Sequence, residues 1–315
     1  MVGFIREYRF DTAPEFLNAL APWSSSPSLD GYIFRGHSDA RYLLAPTSIR
    51  EESKKTIWDN SLAYAEITGS TSDNDYSLAY VEYQLVRDFY READIKGLHV
   101  PISERLRSRL HQKIDFYTMS TWTDGDMWLP DDMLEVAALA QHYGVPTRLL
   151  DWTYDPFVAA FFASRPSGKI DGELCVWGLD ARAIAVIQSN GQYFPLKLVT
   201  PHYSGNPNLA AQSGLFSHWA QKVPGLKTIS SGEIKELPPV DRRPLDVLIK
   251  DYWGVVGDGA SELFVKMVLP NSQSLELARL LRKLGYGPAK MFPGYEGVAM
   301  ELKERLLLKK VKEEN

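Results

Sequence analysis

The chain has 315 residues, is 44% apolar and 12% aromatic, and carries a formal net charge of −5. That length and composition support a substantial core in one large domain or two. A pI near 5.8 excludes a whole-surface basic footprint for nucleic acid but is compatible with a local patch.

The N-terminal run MVGFIREYRF lacks the long apolar core of a signal peptide, and no stretch approaches the length of a membrane span. A cytoplasmic location with no membrane partner is therefore expected. Gly31 to Gly36 (GYIFRG) reads as a short strand ending at a glycine. The polar loop HSDARY and then LLAPTSIR follow it, a second candidate site. From Glu51 to about Ile114 the pattern turns helical, with YVEYQLVRDFYREA and the basic run ISERLRSRLHQKI. The polar loop TGSTSDNDYS interrupts it and has little reason to be ordered. The segment 51–130 is read as a helical insertion within a single domain spanning 1–315.

Ala140 to Ala163, AQHYGVPTRLLDWTYDPFVAAFFA, is the most informative stretch. Met133 to Tyr143 has a helical apolar pattern, Gly144 supplies a stop, and Pro146 prevents easy continuation. Thr147 to Trp152 looks like a short strand. Thr153 or Asp155 then caps a helix with Pro156 at its favoured first position and the body PFVAAFFA buried almost all round. His142, Tyr143, Arg148, Asp151, Trp152 and Asp155 thus crowd one strand–helix junction, which favours a binding site. Taken singly they also have bland roles: Arg148 with Asp151 or Asp155 as a buried ion pair, Trp152 as a core aromatic, His142 as a helix-end histidine.

Gly172 to Leu179, Ala183 to Ile187 and Leu263 to Leu269 look like further strands. Cys175, the single cysteine, lies in the first of these and reads as a small buried hydrophobe. Between the strands, HYSGNPNLAAQSGLFSHW mixes turn formers with aromatics, as loops lining a ligand cleft often do. Leu275 to Leu284 and Glu301 to Val311 close the chain as amphipathic helices.

No glycine-rich phosphate loop has the required spacing, the six histidines are scattered without zinc spacing, and G-x-S-x-G is absent. No metal site is expected. What remains is a pair of strand-end arginines, Arg35 and Arg148, suited to bidentate phosphate contacts. Tyr143, Trp152 and Phe216 offer flat faces for a base or nicotinamide ring. An alternative for Arg35 is to anchor a carboxylate within the fold.

FRG at Phe34 to Gly36, then APTSIR, QHYGVPTRLLDWT with DPFVAAFFA, AAQSGLF, MVLP and MFPGYEGVAMEL, in this order, resemble the FRG-domain family over about Gly31 to Leu302. More distantly, the order of motifs is similar to that of ADP-ribosyltransferases. Arg35-Gly36 resembles their first motif, TRLLDWTYDPFVAAFFAS with DGELCVWGLD the second strand, helix and next strand, and AAQSGLF the third motif. The resemblance implies an α+β fold with a mixed or antiparallel β core flanked by helices, and NAD as substrate. It implies a toxin-type transferase acting on a nucleic-acid or protein acceptor, in toxin–antitoxin or antiphage defence with an antitoxin protein as partner. It assigns Arg35 to phosphate or ribose, Gly36 to close approach of the dinucleotide, Tyr143 or Trp152 to stacking, and Thr147 or Arg148 to ribose hydroxyls or phosphates. His142 and Asp151 join the cofactor-binding set. The third motif departs from the pattern, with Gln212 where a carboxylate is expected. Glu296 in PGYEG is the first substitute, ahead of Glu262 and Asp151. The alternatives are an NAD glycohydrolase, a nucleotide-binding module without chemistry, and a purely structural role for these residues.

Overall fold

The computed structural model describes residues 4–53, 57, 73–115, 117–123, 125–165, 171–189, 193–231, 237–256 and 263–313. Among them are the strands β1 (Ile5–Arg9), β2 (Tyr32–His37), β3 (Met127–Trp128), β4 (Leu149–Thr153), β5 (Glu173–Asp180), β6 (Leu196–Val199), β7 (Gly214–Trp219), β8 (Gln221–Lys222) and β9 (Phe264–Pro270). Seven of them form one sheet in the order β1-β9-β5-β2-β4-β7-β6, and β3 pairs with β8 in a separate ribbon. Only β1 and β9 run parallel; every other neighbouring pair is antiparallel. The architecture is α+β, with a mostly antiparallel sheet flanked by helices. No helix among the described residues is long and apolar enough to cross a membrane.

The helices that position the site are α1 (Ala13–Leu20), α2 (Asp75–Ile95), α3 (Asp131–His142), α4 (Pro156–Ala163), α5 (Pro207–Ala211), α6 (Leu245–Val256), α7 (Ser274–Lys283), α8 (Pro288–Met291) and α9 (Tyr295–Glu313). Strand alternation sends Leu150 and Trp152 of β4, Ile33 of β2, and Cys175 and Trp177 of β5 into one core, closed by Leu245 and Ile249 of α6. Burial pushes the Cys175 thiol up to about 12, consistent with its reading as an inert hydrophobe. Two separate layers cover the opposite face. One, with α2 and α3, packs on Leu149 and Phe216. The other, with α1, α4 and α7, packs on Phe34, Val176 and Met267.

The sheet is least continuous between these layers. β2 pairs with β5 along its whole length, Tyr32 to His37, and β4 pairs with β7 from Leu149 to Thr153, yet β2 and β4 register only at Phe34 and Thr153. Beyond that point the two strands part.

Several local expectations are met by specific groups. Gly144 adopts φ +90° beyond the end of α3, and Asp155 caps α4 by accepting from the Phe157 amide at 2.8 Å with Pro156 at the first position. Thr153 is not the cap: its hydroxyl accepts from the Asp155 amide and donates to the Gln212 carbonyl at 2.7 Å. Ala183 to Ile187, expected as a strand, lies in a helix, Ala181–Ser189. Asp180 caps it through the Ala183 amide, and Ile184 is its buried residue. A short apolar run carries too little periodicity to separate strand from helix, and here the cap decides. The insertion is helical in its described part, where α2 and two short helices precede the ribbon. Half of TGSTSDNDYS, residues 68–72, lies outside the described residues, and its second half, Asp73 to Ser77, leads into α2. Asn74 caps α2 by accepting from the Ser77 amide.

α2 is tied to the sheet by Arg148. Its Nε donates to Glu82 at 2.6 Å and Nη1 lies 3.4 Å from Asp75; the Trp128 indole donates to the same Glu82 oxygen. All of this is buried, and burial raises the Asp75 pKa despite the nearby guanidinium. Removing one member of such a group leaves a charge without a partner in low dielectric. Arg148→Met is expected to cost about 3–5 kcal/mol in a urea melt, and adding Glu82→Gln to recover part of it.

Gly36 sits against α4 so closely that a Cβ there would lie 1.9 Å from the Ala159 carbonyl oxygen. Backbone cannot yield as a side chain can, so Gly36→Ala is expected to lose about 2–3 kcal/mol, seen as a lower melting temperature. His218, fully buried on β7, has its pKa lowered to about 4 from 6.5, chiefly by desolvation. The unfolded chain therefore takes up a proton there first, so this contribution to stability is present above pH 6.5 and lost as pH falls below it. Stability measured at pH 5 against pH 8 should drop by about 2 kcal/mol more in the wild type than in His218→Asn.

Candidate functional site

The parting of β2 from β4 opens a cavity of about 370 Å³. Its walls come from both helical layers: Gln141, His142 and Tyr143 from the end of α3, Val158, Ala159 and Phe162 from α4. Asn208 and Gln212 at α5 and Phe292 after α8 complete it. Arg35, Gly36, Asp151 and Thr153 line it from the two strands. Volume, apolar walls and a few convergent polar groups are the general marks of a small-molecule site.

Arg35 takes the place of the missing strand pairing. Its Nη1 donates to the Asp151 carbonyl at 2.8 Å and lies 3.2 Å from the Asp151 carboxylate, while Nε donates to His37 Nε2 at 3.0 Å. The arginine side chain is only 16% exposed, whereas that of Asp151 is 50% exposed. His37 must be neutral to accept from Arg35. Burial first, then Arg35 and Arg50, lower its pKa to about 3. The expectation that Arg35 anchors a carboxylate is thus met, and the same guanidinium borders the cavity.

Gln212 donates its amide to the Met291 carbonyl at 3.0 Å, which fixes it between α5 and α8. His142 has no hydrogen-bond partner among the described residues; burial lowers its pKa below 6.5, with Asp151 opposing. Tyr143 is 56% exposed and meets the His142 ring edge-on at 5.2 Å.

Several of the expected site residues belong elsewhere. Arg148 is committed to Glu82 and Asp75, not to Asp151, Asp155 or a phosphate. Asp155 instead accepts from the Tyr286 hydroxyl at 2.7 Å. Thr147 is buried and donates to Gln141 Oε1 at 2.9 Å, so it orients a cavity residue without reaching the cavity. Trp152 borders the cavity, but its indole lies in the opposite core and donates to Ser217 at 2.8 Å, so it is no stacking platform. Phe216 is buried as well. Glu296 is exposed in the first turn of α9 and does not line the cavity, because that helix begins at Tyr295, well before the expected start. Glu262 lies outside the described residues. Gly36 serves the approach of α4, a role visible only once the two elements are packed.

Asp151 is therefore the one carboxylate among the described lining residues. Sequence reasoning did not single out Gln141, Asn208, Phe162, Phe292 or His37. Gln141, Phe162 and Phe292 lie inside the family motifs and Asn208 inside the aromatic-rich loop, and the alternation Arg35-x-His37 was available as a signal for a shared strand face.

Searches of the curated proteins and of the solved structures find no match. The family model of the FRG domain matches residues 30–171, a span that holds β2, α2, α3, β4 and α4 and supplies most of the cavity wall. Residues 30–171 of the chain are thus similar to the FRG domain.

Proposed function

We propose that the protein is an NAD-dependent ADP-ribosyltransferase of toxin type, with the nicotinamide–ribose end of NAD held in the cavity between β2 and β4. The observation that carries this reading is the grouping of one half-exposed carboxylate, one guanidinium and one unpartnered imidazole around a single partly apolar cavity. Cleaving the nicotinamide–ribose bond sends its electron pair to the ring nitrogen and leaves an oxocarbenium-like carbon. The protein's task is to orient the ring and to face that carbon with negative charge.

Asp151 supplies the charge in place of Glu296. Tyr143 and Phe292 flank the ring, and Asn208 and Gln212 offer amides to the ribose hydroxyls or the carboxamide. Arg35 holds Asp151 through Nη1 and keeps Nη2 for phosphate or ribose. His142, neutral at pH 7, takes the proton of the attacking hydroxyl and releases it to water. Nucleic acid and protein are both acceptors of the right chemistry, and water as acceptor makes the protein an NAD glycohydrolase.

A second reading has its own observation: Arg35 and Asp151 already satisfy each other, as in a nucleotide-binding module without chemistry. Arg35→Ala is a poor probe because it removes the strut between two strands. Asp151→Asn keeps an acceptor for Arg35 and removes only the charge. Nicotinamide release from labelled NAD is expected in the wild type and to fall about a hundredfold or more in Asp151→Asn, with NAD affinity nearly unchanged. NAD binding without release in the wild type would establish the binding module instead.

A further inference from the structure

The segment Arg107 to Lys113 carries three cations and no acid, with Arg107 and Lys113 exposed and Asp88 the carboxylate that feels the charge of Lys113. Arg105, Arg107, Arg109 and Lys113 stand in a run without an acid. Arg105 pairs with Asp132 at 3.6 Å, but Arg107, Arg109 and Lys113 have no ion-pair partner among the described residues. Most other arginines of the protein are so paired, among them Arg9, Arg41, Arg182, Arg242 and Arg243.

The loop is also built. Arg87, wholly buried in α2, donates to the carbonyls of Arg109, Gln112 and Lys113. These three carbonyls turn inward to one guanidinium, and the chain around them leaves Arg107, His111 and Lys113 exposed. Arg109 holds a left-handed φ of 61° and lays its guanidinium 3.8 Å from the centre of the Tyr117 ring, which is itself 53% exposed. A guanidinium stacked on a tyrosine is a flat cationic platform on which a base can stack, and the flanking cations suit phosphates on either side.

We propose that Arg107, Arg109, Lys113 and Tyr117 form a docking surface for a single-stranded nucleic acid. Arg105 reaches Asp132 at the start of α3, and the far end of α3 carries His142 and Tyr143 into the cavity. At 1.5 Å per residue, Asp132, to which Arg105 is paired, lies about 16 Å along that helix from Tyr143 at the cavity. A strand held here extends toward the cavity as its acceptor if the NAD reading is right, but the binding itself does not depend on that reading.

The test is fluorescence anisotropy of a labelled uridine 12-mer and a thymidine 12-mer with the full chain between 50 and 200 mM salt. The wild type is expected to bind, and R107E/K113E to bind at least tenfold more weakly with a shallower salt slope, by about 0.7 for each phosphate no longer neutralised. Tyr117→Ala should weaken binding about tenfold with the slope nearly unchanged. K250E/K283E, which alters net charge equally at exposed positions elsewhere, should bind as the wild type does. No binding at 50 mM salt, equal loss in the control, or capture by phosphatidylserine vesicles without oligonucleotide binding would overturn the proposal. Nicotinamide release measured on the same variants without oligonucleotide keeps the two questions apart: it should be unchanged in R107E/K113E.

Discussion

The Arg35 guanidinium bridging β2 and β4 is the interaction on which the site depends. Two strands that share only the Phe34–Thr153 register leave unpaired backbone where they part, and buried backbone groups need partners. Arg35 supplies one by donating to the Asp151 carbonyl. The same side chain holds the Asp151 carboxylate at the cavity and takes its own support from His37, which burial keeps neutral. A structural requirement and a chemical one are therefore met by a single residue.

The seam in the sheet coincides with the seam between the two helical layers. α2 and α3 cover the β4–β7 half, while α1, α4 and α7 cover the half containing β2, β5 and β9. Each layer brings its own lining to the cavity, polar ends from α3 and apolar surface from α4. Arg148 fixes the first layer through Glu82 and Asp75, and Gly36 fixes the second by admitting the α4 backbone. Neither residue needs to touch a ligand for the cavity to depend on it.

Much of the local structure between α3 and α4 was legible in the sequence because its determinants are local. Gly144 beyond a helix, Asp155 before Pro156 and an all-apolar body after it specify their elements over a few residues. The partners were not legible for the opposite reason. Arg148 and Glu82 are 66 residues apart, and Arg35 and Asp151 are 116 apart. Pattern alone cannot choose among the acids a strand-end arginine might meet. Trp152 and Asp151 are adjacent in sequence yet lie on opposite faces of β4, so a cluster along the chain split in two once the strand formed. The candidate carboxylate is Asp151 rather than Glu296 because Asp151 faces the cavity and Glu296 is exposed on α9.

On the proposed reading, the parting of β2 from β4 is a ligand site framed by Arg35 and Asp151. The most direct measurement is a crystal structure of the protein with a non-hydrolysable NAD analogue. The nicotinamide ring is expected beside Tyr143 and Phe292, the ribose within reach of Asp151, and β2 and β4 still joined only at Phe34 and Thr153. An analogue bound elsewhere, or a sheet closed by continuous β2–β4 pairing with no room for the ring, would contradict it.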